Sequence, residues 1–188
     1  MDFLYNICDH ATMKLDKDLA ITALKMLDIE IGNSGLPVVH LVTGGGASML
    51  LAHGFGGKTN DIDGVPTNIS FDDIKVLTEK IARVLQIDHD WLNPHFQTFT
   101  IYLPADSRDR MIKIYEGPHL VVESLGAEDI LIMKLMAGRA KDRAHIKHLI
   151  KRGAQISIVE NRLQELKEKN LYAALAEKAL DLLDEELS

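Results

Sequence analysis

The chain is predicted to adopt an α+β fold, with a mixed sheet and flanking helices in residues 1–123 and a helical region over 124–188 packed on that core. Short runs rich in β-branched residues recur between Val38 and Val122. Stretches with apolar residues at helical spacing lie before and between them. After Val122 the strand-like runs stop and only helical spacing remains. The 188 residues suffice for one compact domain, or a small domain with a helical appendage. With 46% hydrophobic and 26% charged residues, the chain has the balance of an ordinary globular protein with a core.

Asp16 to Gly32 reads as a helix, because Leu19, Ala20, Ala23, Leu24, Leu27 and Ile31 fall near a 3.6 period. Asn33-Ser34-Gly35 ends it, and Pro37 opens the next element. Val38 to Val42 is continuously apolar apart from His40, and reads as a buried strand. Gly44-Gly45-Gly46 breaks that strand, Ala47 to His53 reads as a short helix, and Gly54 to Gly57 as a loop. Asp61 to Val65 is the next strand, ended by Pro66. Ser70 with Asp73 has capping-box spacing before a helix that runs to Leu85. Gln97 to Leu103 and Met111 to Tyr115 alternate like strands around the charged turn 106–110, and His119 to Val122 is one more strand. Helices follow at 126–138 and 140–152. A third is capped by Ser157 with Glu160, and a fourth covers Leu171 to Leu187.

Only Cys8 is present, which excludes an intramolecular disulfide and fits a reducing compartment. No apolar run approaches the ~20 residues of a membrane span, and Met1 to Tyr5 lacks the basic flank of a signal peptide. A cytoplasmic location without membrane association is expected. The net charge of −7 argues against nonspecific coating of nucleic acid. Against that background residues 134–152 carry seven Lys and Arg and one acid, Asp142. Such a segment suits a local phosphate contact or a solvated helix face.

Three chemistries compete for the segment from Gly44 to Asp63. Ala52 to Thr59 fits a relaxed P-loop, but a P-loop needs a strand before it and a long helix starting at its lysine. Here a helix precedes, and Asp61, Gly64 and Pro66 follow. Asp61-Ile62-Asp63-Gly64 superficially matches a phosphoaspartate nucleophile, which needs a buried apolar strand leading into the first Asp. Gly57-Lys58-Thr59-Asn60 is polar instead. Nucleotidyl transfer needs two carboxylates on one face of a strand, and the i, i+2 spacing of Asp61 and Asp63 provides that. Such a pair can hold Mg²⁺ or Mn²⁺ against triphosphate oxygens. A glycine turn at Gly45 and Gly46 leaves room for phosphate, and Ser48 could add a hydroxyl contact.

Gly45-Gly46-x-Ser48 followed by Thr59-Asn60-Asp61-Ile62-Asp63 resembles the motif of the nucleotidyltransferase-fold superfamily, which includes DNA polymerase β. Within it, the chain looks similar to small bacterial members around the AbiEii-type toxins. Asp90-Trp91-Leu92-Asn93 resembles a W-L-N element of an uncharacterised branch. Lys134, Ala137, Arg139 and Asp142 resemble its helical motif, with His145 where that motif often carries a second acid. The resemblance implies a polymerase β-like sheet and a metal bound by Asp61 and Asp63. It also implies that Lys134 contacts the nucleotide or supports the site, and that Arg139 and Asp142 hold the helical half against it.

Members of that superfamily usually carry a third carboxylate on an adjacent strand. The middle of Met111 to Tyr115 has none, so Glu116 and Glu123 are the candidates, with Asp109 weaker. His145 and His148 lack the further ligands that a zinc site needs. Trp91 and Phe96 suit core packing better than base stacking. The expected activity is transfer of a nucleoside monophosphate from an NTP to a hydroxyl of RNA, a protein or a small molecule, with Arg139 and the basic stretch to Arg152 holding the triphosphate or a polyanionic acceptor, and by resemblance the chain is a toxin with a cognate antitoxin. The competing expectation is a binding module of the same fold with reduced catalysis, its acidic C-terminal helix serving as a partner surface.

Overall fold

The structure, a computed structural model, describes residues 12–169 and 172–188. The chain start, Cys8, and Leu171, where the last helix was expected to open, lie outside the described residues.

The first helix, α1 (Lys17–Ser34), begins where the Asp16 carboxylate accepts the Leu19 N–H at 3.0 Å, and it ends at Gly35. Its buried face is Ala20, Ala23, Leu24, Leu27 and Ile31, as the periodicity predicts. Strand β1 (Val39–Thr43) leads through Gly44 into the short helix α2 (Gly45–Leu51), and a loop returns as β2 (Ile62–Pro66). Helix α3 (Asp72–Leu85) begins after the predicted box, with the Asp73 carboxylate accepting the Ser70 N–H at 2.9 Å. The two-residue strand β3 (Leu92–Asn93) follows, then β4 (Ile112–Glu116) and β5 (Leu120–Ser124). The helical region comprises α4 (Ala127–Ala137), α5 (Arg143–Lys151), α6 (Ile156–Glu168) and α7 (Ala173–Leu187).

The sheet order is β3-β2-β1-β5-β4. β1 pairs antiparallel with β2 and parallel with β5, β2 pairs parallel with β3, and β4 pairs antiparallel with β5. The sheet is therefore mixed, as predicted. Val39, Leu41, Ile62, Leu120 and Val122 join a hydrophobic cluster with α1 and α3. A second cluster gathers Met49, Phe96 and the apolar faces of α4 to α7, with Val42 and Val65 packed against it. Buried Asp28 on α1 ties the first layer together by accepting the His119 N–H at 2.7 Å and the Tyr115 hydroxyl at 3.1 Å.

Three local expectations are corrected. Gln97 to Leu103 is not a strand: His95–Tyr102 forms a 3₁₀ helix. Phe96, Phe99 and Tyr102 recur every third residue and face the second cluster together, and in a 3₁₀ helix side chains at i and i+3 align. The charged turn is also a 3₁₀ segment, Ala105–Arg110, fixed by Arg110 reaching both Asp106 and buried Asp129. Ser157 does not cap α6, which begins one residue earlier; Gln155 precedes it and donates its N–H to Glu128 at 2.9 Å. No helix among the described residues is long and apolar enough to cross a membrane.

Candidate active site

β2 places one side chain on each face in turn. Ile62 is fully buried in the cluster under α1 and α3. Asp63 within the strand, and Asp61 just before it, therefore project to the other face, toward the helical region. Both line a cavity of about 510 Å³ between the sheet and the helices.

The turn that precedes α2 closes against this pair. Gly45 has φ +67°, and a β-carbon there would run into the Asp63 carboxylate. Only glycine satisfies both the left-handed backbone and the close approach. Gly45 and Gly46 both line the cavity. Ser48, expected to reach the ligand, is fully buried instead, and its hydroxyl lies 2.9 Å from that of Thr43. It joins α2 to β1 and is not among the cavity-lining residues.

Burial and the neighbouring Asp61 carboxylate push Asp63 up to about 6, against the opposing pull of His95, Arg139 and Lys134. Two acids thus share a partly enclosed site whose other charged residues are mainly cationic. Lys14, Lys58, Lys134, Arg139 and Lys141 line the cavity beside Asp61, Asp63 and Asp142. On a chain of net charge −7 this is a local concentration of positive charge. The apolar wall is Phe96, Phe99, Ile130, Met133 and Ala137.

Lys134 lies on α4 with only 7% of its surface exposed, and its ammonium sits 2.6 Å from Asp142. Burial pulls the lysine below its ordinary value, and Asp142 opposes that pull. Burial alone would raise Asp142, but hydrogen bonds from His145 and Lys134 outweigh it and hold the carboxyl at about 2. Asp142 therefore pairs with Lys134 and not with Arg139. Arg139 is at the cavity rim, its guanidinium 5.4 Å from the centre of the Phe99 ring.

The third carboxylate sought on β4 is not at the cavity. β4 is the far edge strand, separated from β2 by β1 and β5. Glu116 is exposed and pairs with Lys113 at 2.7 Å, Asp109 is exposed, and neither they nor Glu123 line the cavity. The strand beside β2 on the open side is β3, where Asn93 stands across from Asp63. Its amide donates to Asp61 Oδ2 at 3.2 Å and to the Asp90 carbonyl at 3.2 Å, while its oxygen accepts the His95 N–H at 3.0 Å.

A family model described as a nucleotidyltransferase of unknown function, DUF6036, matches residues 22–184. The chain belongs to that family. Its mixed sheet with flanking helices is consistent with the nucleotidyltransferase fold. No curated protein and no solved structure matches the chain. The match does not single out the AbiEii-type branch.

Asn93 acts on the site through its bond to Asp61, while Lys141 and His145 of the basic stretch line the cavity together with Lys14, Lys58, His95 and Phe99, the last four not assigned to a ligand site from sequence. The W-L-N element and the basic stretch were the available signals for Asn93 and Lys141. The rest of the basic stretch is divided: Arg143 bonds Glu185 and Glu186, and Lys147 lies 3.5 Å from Glu186. The Glu186 side chain is buried in this contact, whereas Glu185 stays exposed beside Arg143. The exposed group Asp88, His89 and Asp90 is a tight turn in which Asp88 accepts the Asp90 N–H, and it lies outside the cavity.

Proposed function

We propose that this family member transfers a nucleoside monophosphate from an NTP to a hydroxyl of RNA, a protein or a small molecule. The observation that carries this reading is the Asp61/Asp63 pair facing a cavity whose other charges are mainly cationic. The donor set fits a hard divalent cation: two carboxylates whose charge is penalised first by burial and then by mutual repulsion, which together raise Asp63. Asp61 and Asp63 would hold Mg²⁺ or Mn²⁺, which supplies charge neutralisation at the phosphates.

The chain's own groups supply the remaining electrostatics. Arg139, Lys134 and the rim lysines favour a polyanion in the cavity, Gly45 and Gly46 leave it space, and the Phe99 wall accepts the apolar face of a base. In the transfer, the acceptor oxygen forms a bond to the α-phosphorus. The bond from that phosphorus to the β-phosphate's bridging oxygen breaks, and pyrophosphate leaves with the electron pair. The hydroxyl proton passes to solvent or to His95 or His145, the two imidazoles lining the cavity.

The test is incubation with each labelled NTP, Mg²⁺ and bulk RNA or lysate, beside an Asp61→Ala/Asp63→Ala variant. Label transfer lost in the variant supports the enzyme. Nucleotide binding without transfer of any of the four supports the second reading, a catalytically reduced binding module. Asn93 favours that second reading, because the strand beside β2 offers an amide in place of an acid. We also propose a cytoplasmic toxin neutralised by a cognate antitoxin. Growth arrest on expression that depends on Asp61 and Asp63 supports it, and unimpaired growth sinks it.

A further inference from the structure

The segment before α1 is part of the cavity, although it lies outside the family match at 22–184. Leu15 pairs antiparallel with Thr59, each donating its N–H to the other's carbonyl at 2.8 Å. Met13 donates to the Gln86 carbonyl at 3.2 Å. The strap is thus anchored on both sides of Lys14. Leu15 is fully buried, so by strand alternation its neighbours face the other way. The register places Lys14 across from Asn60, next to Asp61, and Asp16 across from Lys58. The Lys58–Asp16 separation of 3.8 Å agrees. Lys14 and Lys58 therefore share one face of the bridge, and both line the cavity.

We propose that Lys14 and Lys58 form a polyphosphate-binding arm, holding the β- and γ-phosphates of the nucleotide and then the pyrophosphate. The inference deepens the transferase reading and rests on a nucleotide occupying this cavity. Two ammonium groups on a pinned bridge beside Asp61 suit a chain of phosphates better than a single one.

The test compares AMP with a nonhydrolysable ATP analogue by calorimetry in Mg²⁺, using wild type, Lys14→Gln, Lys58→Gln and Lys14→Arg. Both lysines are exposed, so the variants are expected to fold, which thermal melts verify. The expected result is about tenfold weaker binding of the analogue in each Gln variant, unchanged AMP binding, and recovery in Lys14→Arg. Equal affinities for the analogue across all variants, or equal losses for AMP and the analogue, overturn the arm and leave the transferase reading intact. If wild type binds neither nucleotide, the nucleotide reading fails. Inorganic tripolyphosphate then decides the arm separately: binding weakened by Lys14→Gln sustains it, and no binding ends it.

Discussion

Asn93 on β3 donates its side-chain amide to Asp61 at 3.2 Å while standing across the strand pair from Asp63. The neutral amide holds one oxygen of Asp61 without adding a third negative charge. With an acid in its place, an oxygen would face Asp61 Oδ2. We predict that Asn93→Asp lowers the melting temperature in EDTA and enlarges its rise on adding Mn²⁺. A smaller Mn²⁺-induced rise than in wild type would refute the arrangement. Asn93→Ala removes the hydrogen bond to the Asp61 carboxylate, worth about 1.5–3 kcal/mol, together with those to the Asp90 carbonyl and the His95 N–H, and weakens Mn²⁺ binding without creating new repulsion.

Asp63 carries the strongest pH prediction. Its folded value of about 6 lies above the ordinary 3.8. Its contribution to stability is therefore fully present below about pH 4 and is lost as pH rises through 6. Asp63→Asn removes this dependence, and at pH 8 in EDTA it stabilises the protein by about 1–3 kcal/mol. Denaturant melts at pH 5 and pH 8 check this. A variant less stable than wild type at pH 8 contradicts it.

Much of this architecture was legible in the sequence, and the residues explain where it was not. The face of α1, the capped start of α3 and the shared face of Asp61 and Asp63 followed from period and spacing, because each depends on residues close in the chain. β3 was invisible as a strand because two residues carry no periodicity; only its pairing with β2 defines it. The run from His95 to Tyr102 could be read with period two or three, and packing of Phe96, Phe99 and Tyr102 decided for three. Lys14 and Lys58 reach the cavity through a tertiary bridge that no local pattern announces. The search for a third acid on β4 failed because strand order in space is not strand order in sequence.

The buried Lys134–Asp142 pair yields a stability prediction. Lys134→Met leaves Asp142 buried with the His145 ring, at 3.4 Å, as its remaining side-chain partner. Breaking one side of such a pair costs about 3–5 kcal/mol. Replacing both, as Lys134→Met/Asp142→Leu, costs less than the sum of the single changes. Chemical denaturation of the four proteins tests this, and additive losses would show that the two side chains act independently. In wild type, Asp142 contributes stability that is present above pH 3.8 and lost as pH falls through about 2.

Gly45→Ala tests the turn against the acid pair. The left-handed backbone alone costs a non-glycine residue about 1–2 kcal/mol, and the added methyl displaces the Asp63 carboxylate. The variant is expected to melt lower and to lose most of the Mn²⁺-induced stabilisation. Gly35→Ala has comparable backbone strain at φ +73° but open space around it. It should melt lower and retain the Mn²⁺ response. Equal Mn²⁺ responses in the two variants would remove the link between the turn and Asp63.

The cavity lies between the sheet and the hydrophobic cluster of α4 to α7, from which Phe96, Phe99, Ile130 and Met133 form its apolar wall. Its walls draw Asp61 and Asp63 from the sheet, and Ile130, Met133 and Lys134 from α4. An occupant therefore adds a second tie between sheet and helices, beside the direct packing of Val42 and Val65 against the helical cluster. Its binding energy falls on the seam. A ligand that touches both walls binds only when they are in register, so its occupancy stabilises the packed arrangement of helices on sheet.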